Sequence, residues 1–150
     1  MLAATGLASF MLSTPASAAA AQLAEGTVVP VRLVSPINSE TAKAGERIHF
    51  VVTRDVVVDG VVVIARNTKV AGTVVAARRA SWGFIWHRAR LSFTFVQTTA
   101  VDGQSVSLRA PNAQGWLNVD RSRYHHNLQW AGGGDTYEAS VHGNYDFRQR

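Results

Sequence analysis

Cysteine is absent from all 150 residues. That excludes disulfides, thiolate nucleophiles, cysteine-based zinc sites and a lipid-modified N-terminal cysteine. Charge is absent from Met1 to Ala24, where no Asp, Glu, Lys or Arg occurs. Catalytic signatures are missing as well. There is no H-E-x-x-H spacing, no G-x-S-x-G elbow and no S-x-x-K. Gly132-Gly133-Gly134-Asp135 lacks the Lys-Ser/Thr that follows a phosphate-binding loop, and reads as a flexible turn. The carboxylates stand at turns (Asp59, Asp102) or beside strand-like runs (Glu46, Asp55), where their role is conformational. These gaps leave no catalytic residue to nominate and no cofactor to expect.

The uncharged start has a form of its own. Leu7, Phe10, Met11 and Leu12 make a short apolar core, and Ala16-Ser17-Ala18 supplies an A-x-A arrangement. This reads as a secretory signal peptide over 1–18, cleaved near Ala18, with 19–24 as a linker. A signal peptide ordinarily opens with basic residues. Their lack here is what a start upstream of Met1 would leave. The alternative is an uncleaved anchor, since the run is long enough to span a bilayer. Its alanine-rich second half is weakly hydrophobic, which favours cleavage. The expected location is periplasmic or secreted. What remains, roughly 130 residues, is long enough to bury a core without disulfides.

The middle of the chain is rich in β-branched residues. Runs at 27–34, 47–53, 70–76, 91–96 and 105–108 read as strands. Pro30, inside the first, argues for an edge position or a bulge. Val56-Val57-Val58 and Val61-Val62-Val63-Ile64 flank Asp59-Gly60, a tight-hairpin signal. No helical period appears between 25 and 109. The expectation is an all-β fold, a small antiparallel barrel or sandwich of about seven strands over 25–110. Its inward-facing residues are taken as Ile48, Phe50, Val52, Val62, Ile64, Leu91, Phe93 and Phe95, with His49 on the polar face. After Pro111 valines thin out. Residues 111–150 read as a C-terminal extension, partly ordered, with a short helix at Val119–Trp130 and a last strand within Tyr137–Phe147.

Gly26-Thr27-Val28-Val29-Pro30-Val31-Arg32-Leu33, followed by Pro36-Ile37-Asn38-Ser39-Glu40, resembles the opening of the C-terminal β-barrel of TrbI-like conjugation channel proteins. Ile64-Ala65-Arg66-Asn67-Thr68-Lys69-Val70-Ala71-Gly72 is similar to that family's I-P-x-G-(T/S)-x-h-x-G element. Val101-Asp102-Gly103-Gln104-Ser105 is similar to its P-D-G turn. The resemblance spans 25–109, and the same pattern occurs in small exported bacterial β-domains with no channel role. Ala65 replaces a proline and Asn67 a glycine. Asn is the next-best residue for a left-handed turn, so the turn survives. The resemblance implies a β-barrel and an envelope location. Ring assembly and conduction are not implied, because the membrane-crossing parts are not matched.

The net charge is +5, and Arg78, Arg79, Arg88 and Arg90 account for most of it. The basicity is therefore local. Within the same stretch, Arg-Arg-Ala-Ser-Trp-Gly-Phe-Ile-Trp-His-Arg-Ala-Arg from 78 to 90, stand Trp82, Trp86 and His87. The resemblance makes this a connection between neighbouring strands, a long hairpin tip. Its side chains suit a groove on a protein partner, a lipid headgroup layer, or bases and phosphates. The plain reading is a tryptophan folded over the barrel's open end, with solvated arginines. An exported domain seldom meets nucleic acid, so an envelope protein partner is expected first and an anionic polymer or membrane surface second. His125, His126 and His142, with Asp120, Asp135, Glu138 and Asp146, raise the question of a metal. Adjacent histidines point in different directions, and no chelating spacing is present, so no metal site is assigned. The favoured function is a non-enzymatic, exported structural or protein-interaction module.

Overall fold

The computed structural model describes residues 20–81, 88–120, 124–125 and 128–148. Every element in it is a strand: β1 (Ala20–Leu23), β2 (Val28–Leu33), β3 (Ile37–Asn38), β4 (Arg47–Val52), β5 (Val56–Val58), β6 (Val61–Ile64), β7 (Lys69–Arg78), β8 (Arg90–Thr99), β9 (Ser105–Arg109), β10 (Leu117–Asn118), β11 (Tyr124–His125), β12 (Leu128–Ala131), β13 (Thr136–Val141) and β14 (Tyr145–Arg148). The all-β expectation holds. The main sheet runs β10-β8-β7-β4-β2-β13-β9, and β8 also pairs with β9. That pairing closes β2, β4, β7, β8, β9 and β13 into a six-stranded antiparallel barrel, with β10 added alongside β8. Closure removes most of the exposed strand edge that a small open sheet would present.

The core is the inner face of this ring. Phe50 lies within 5.5 Å of Phe93 and 5.1 Å of Phe95, centroid to centroid, and Tyr137 meets Phe93 edge-on at 5.0 Å. Gly72 makes the packing possible. A Cβ there would stand 2.7 Å from Phe50 Cε2 and 2.9 Å from the Thr94 carbonyl oxygen. The Asp59-Gly60 turn has positive φ at both residues, 50° and 76°, as a primed hairpin turn requires. Asn67 takes the left-handed conformation, φ 65°, which asparagine tolerates in a turn.

Several expectations need correction. Val62 is 37% exposed, and Val63 is fully buried in its place. The β5–β6 hairpin stands outside the ring, with a register shift between Val56 and Val57, so strict alternation fails there. Pro30 lies on a central strand, not an edge or bulge. The β2–β4 ladder covers Val31 to Leu33 only, so the missing N–H falls beyond it, and the Pro30 carbonyl accepts the Thr53 N–H at 2.9 Å. Of the helix expected at Val119–Trp130, the described residues show none, and Tyr124–His125 and Leu128–Ala131 are strands. β12 alternates in burial and pairs with β3 and β11. The single strand expected within Tyr137–Phe147 is two, β13 and β14, parted at Gly143 with φ 96°. β13 sits between β2 and β9, so the 111–150 segment supplies a strand of the ring itself. The proposed leader, 1–18, lies outside the described residues. β1 begins at Ala20 and pairs with β14, burying Ala21 and Leu23.

Candidate functional site

β7 and β8 are the longest strands, ten residues each, and together they form one hairpin. Two irregularities bend it, between Ala71 and Gly72 and between Val74 and Ala76. The extra residues, Val96 and Val75, turn outward and are exposed. After the second irregularity Ala77 pairs with Leu91 and both face inward, while Arg78 pairs with Arg90 and both are exposed. The hairpin therefore ends in two arginines directly opposed on its outer face. Side chains at opposed positions share one face of a sheet. Arg79 and Arg88 are exposed on either side of them.

Two contacts shape this end. The Arg90 guanidinium lies over the Trp116 ring, 4.9 Å from its centroid. Arg79 meets the Glu40 carboxylate at 3.4 Å. Glu40 is presented by a turn that Asn38 holds, its side-chain oxygen accepting the Glu40 and Thr41 N–H groups at 2.9 Å each. Both members of the Arg79–Glu40 pair are largely exposed, so it adds little stability. Neither Arg78 nor Arg88 has a carboxylate partner among the described residues.

The base of this end is fixed by Gln129 on β12, a buried polar side chain. Its Oε1 accepts the Leu91 N–H at 2.8 Å and its Nε2 donates to the Val119 carbonyl at 3.1 Å. Its own N–H donates to Ser39 Oγ at 3.0 Å, and its carbonyl accepts the Ser39 N–H at 2.8 Å. One residue thus ties β8, the chain after β10 and the chain after β3. Trp130, next along β12, is 41% exposed. Nearby, between the residue after β10 and the start of β13, opens a cleft of ≈ 360 Å³ lined by Val119, Asp120, Gly134, Asp135, Thr136 and Tyr137.

Of the residues nominated from sequence, Arg78, Arg79, Arg88 and Arg90 are brought together on one exposed end. Trp82, Trp86 and His87 lie outside the described residues, as does His126. Trp116 and Glu40 were not nominated. Trp116 stands in a segment without strand periodicity, and Glu40 enters the reading of the sequence only through the resemblance over Pro36 to Glu40. His142 is not gathered with Asp120 or Asp135. Its Nδ1 is 3.6 Å from Glu25 Oε1, which Arg109 also engages at 2.8 Å. Among the described residues no group of three or more His, Asp or Glu side chains is placed to hold a metal ion.

No family model matches this chain, and no curated protein matches it. Among solved structures it is similar to ComB10 of the Com type IV secretion system of Helicobacter pylori, with 20% identity and a TM-score of 0.40. The similarity covers 59% of this chain and 43% of that one, so it spans less than half of the ComB10 chain.

Proposed function

We propose that the chain is an exported, non-enzymatic β-barrel domain of the cell envelope that works as an interaction module through the end of its β7–β8 hairpin. The observation that carries this reading is the gathering of Arg78, Arg79, Arg88 and Arg90 on one exposed hairpin end, with Arg78 directly opposite Arg90. Arginine and tryptophan dominate interface hot spots, and the sequence between the strands adds Trp82 and Trp86. The uncharged leader with its A-x-A arrangement supports the compartment. A structural component of an envelope assembly is the partner class expected first. An anionic envelope polymer or lipid surface is the second reading, favoured by Arg78 and Arg88, which have no carboxylate partner among the described residues.

The test replaces residues 80–87 with a short Gly-containing turn. The variant keeps its β-type circular dichroism and most of its melting temperature, because surface connections carry few core contacts. It loses association with the envelope fraction of its native host. Trp82→Ala with Trp86→Ala lowers association while stability changes by less than about 1 kcal/mol, the range for exposed sites. A loss of roughly 3 kcal/mol or more with association intact would instead identify a tryptophan packed over the core.

A further inference from the structure

The ladder between β9 and β13 is the shortest in the ring. It has two residue pairs, Ser140 with Arg109 and Val141 with Leu108. In the same register Glu138 would come opposite Pro111, which has no N–H to donate. The chain turns away there, with the Gly115 N–H donating to the Asn112 carbonyl, and rejoins β8 as β10. β13 is left with an open length. The Leu33 N–H donates to the Asp135 carbonyl at 2.8 Å and the Val141 N–H to the Thr27 carbonyl at 2.9 Å, so alternate residues from Asp135 to Val141 bond to β2. Thr136 and Glu138 fall between them and turn their N–H and carbonyl groups the other way. Among the described residues nothing pairs with any of these four groups.

That edge forms one wall of the ≈ 360 Å³ cleft, which Val119 and Asp120 bound on the other side. An unpaired strand edge is a template for another strand. Thr136 to Glu138 offers two donors and two acceptors over about 7 Å. The side chains add a sign. Glu138 is exposed and makes no ion pair among the described residues, although Arg32 stands opposite Thr136 on β2. Asp120 and Asp135 line the same cleft. We propose that this edge takes an extended, basic segment of a partner protein. The segment adds as an antiparallel strand beside Thr136 and Glu138, as every pair in the ring is antiparallel. Its alternate residues turn toward Tyr137 and the cleft, and a Lys or Arg between them faces Glu138. Main-chain bonds supply affinity and the facing charge supplies specificity. The site uses none of the arginines of the β7–β8 end.

The experiment titrates the full folded chain with fluorescent heptapeptides, blocked at both ends, that alternate valine with lysine or valine with glutamate. The lysine peptide binds about tenfold more tightly than the glutamate peptide. Its lysines lie opposite Glu138 and direct their N–H groups at β13. N-methylation of the lysine residues therefore loses binding, and N-methylation of the valine residues keeps it. Thr136→Pro removes one outward N–H at the first residue of β13, where proline is tolerated, and weakens binding about tenfold. Thr136→Ala keeps the N–H and changes binding by less than about twofold. Glu138→Lys reverses the preference between the two peptides, which keeps the site testable if Thr136→Pro lowers the melting temperature. Arg78→Ala does not weaken peptide binding, so the hairpin-end reading and this one fail separately. Equal binding of both peptides, or binding indifferent to the place of N-methylation, overturns the strand-docking site. Binding of neither peptide also overturns it and makes Glu138 a guard on a solvated edge. A dimer in sedimentation that Thr136→Pro dissolves gives the edge to a second copy and overturns the partner segment.

Discussion

From Val70 to Val74 and from Phe93 to Thr98, the β7–β8 hairpin carries much of the barrel core. Val70, Val74, Phe93 and Phe95 are buried there, and Thr98 turns its hydroxyl to the Lys69 carbonyl at 2.9 Å. From Ala76 to Arg78 and from Arg88 to Arg90, the same two strands carry like charges into solvent. The division falls at the irregularity beside Val75. Below it Val70, Val74, Phe93 and Phe95 belong to the one hydrophobic core that holds the aromatic cluster. Above it only Ala77, Ala89 and Leu91 still face the interior, while the outer face is basic. A single hairpin can therefore combine a rigid half and a charged half, with the first holding the second in register. Sites built on regular strands are more precisely placed than sites on loops.

The comparison breaks most sharply at Phe93. Phe93→Ala removes the ring that touches Phe50, Phe95 and Tyr137. The expected cost is roughly 3–5 kcal/mol, from lost transfer energy plus a cavity. Chemical denaturation reads it directly. Arginine-end binding falls with it, because the register of Arg78 and Arg90 depends on the hairpin below. A folded variant with full stability would show that the lower half does not anchor the hairpin.

Gln129 tests the junction between the halves. Gln129→Ala strips partners from the buried Leu91 N–H and the Val119 carbonyl. Each buried group left unsatisfied costs about 1–3 kcal/mol, so the variant loses roughly 2 kcal/mol or more. Amide exchange localises the effect. Leu91 exchanges faster, while Phe50 and Val70, in the lower half of the ring, keep their protection relative to global stability. Uniform acceleration through the ring would mean that the two halves unfold as one unit.

The lower half was legible because strand period and turn chemistry agree there. Ile48, Phe50, Phe93 and Phe95 alternate with Arg47, His49, Ser92 and Thr94, and Asp59-Gly60 and Asn67 mark turns by backbone conformation alone. β13 was not legible as a ring strand. Its sequence Thr-Tyr-Glu-Ala-Ser-Val has few β-branched residues, and its last three residues are all buried, so neither composition nor period marks it. Gln129 escaped for a related reason. A buried glutamine looks like a surface residue until its partners, at Ser39, Leu91 and Val119, are brought together from across the chain. The arginines were visible as a cluster in sequence. Their opposition was not, because the hairpin carries two irregularities, one extra residue in each strand, and only their cancelling leaves Arg78 opposite Arg90.

The smallest expected effect on stability is the most telling for the upper half. Arg78→Glu turns a like-charge pair with Arg90 into an opposite-charge pair on the same exposed face. Cross-strand charge pairs are worth roughly 0.2–1 kcal/mol relative to neutral ones, and like charges cost a similar amount. The variant is therefore slightly more stable than the parent, by up to about 1 kcal/mol, and the gain shrinks in high salt. Its association with the envelope fraction falls, because the exposed end of the hairpin loses one positive charge and gains a negative one. Thermal melts at low and high ionic strength, set beside the association assay, read both quantities on one protein. A stability that rises while binding disappears is what a pair kept for recognition predicts, since stability alone would favour the glutamate. A variant that is less stable than the parent would mean that Arg78 serves the fold, and the charged half of the hairpin would then be structural like the half beneath it.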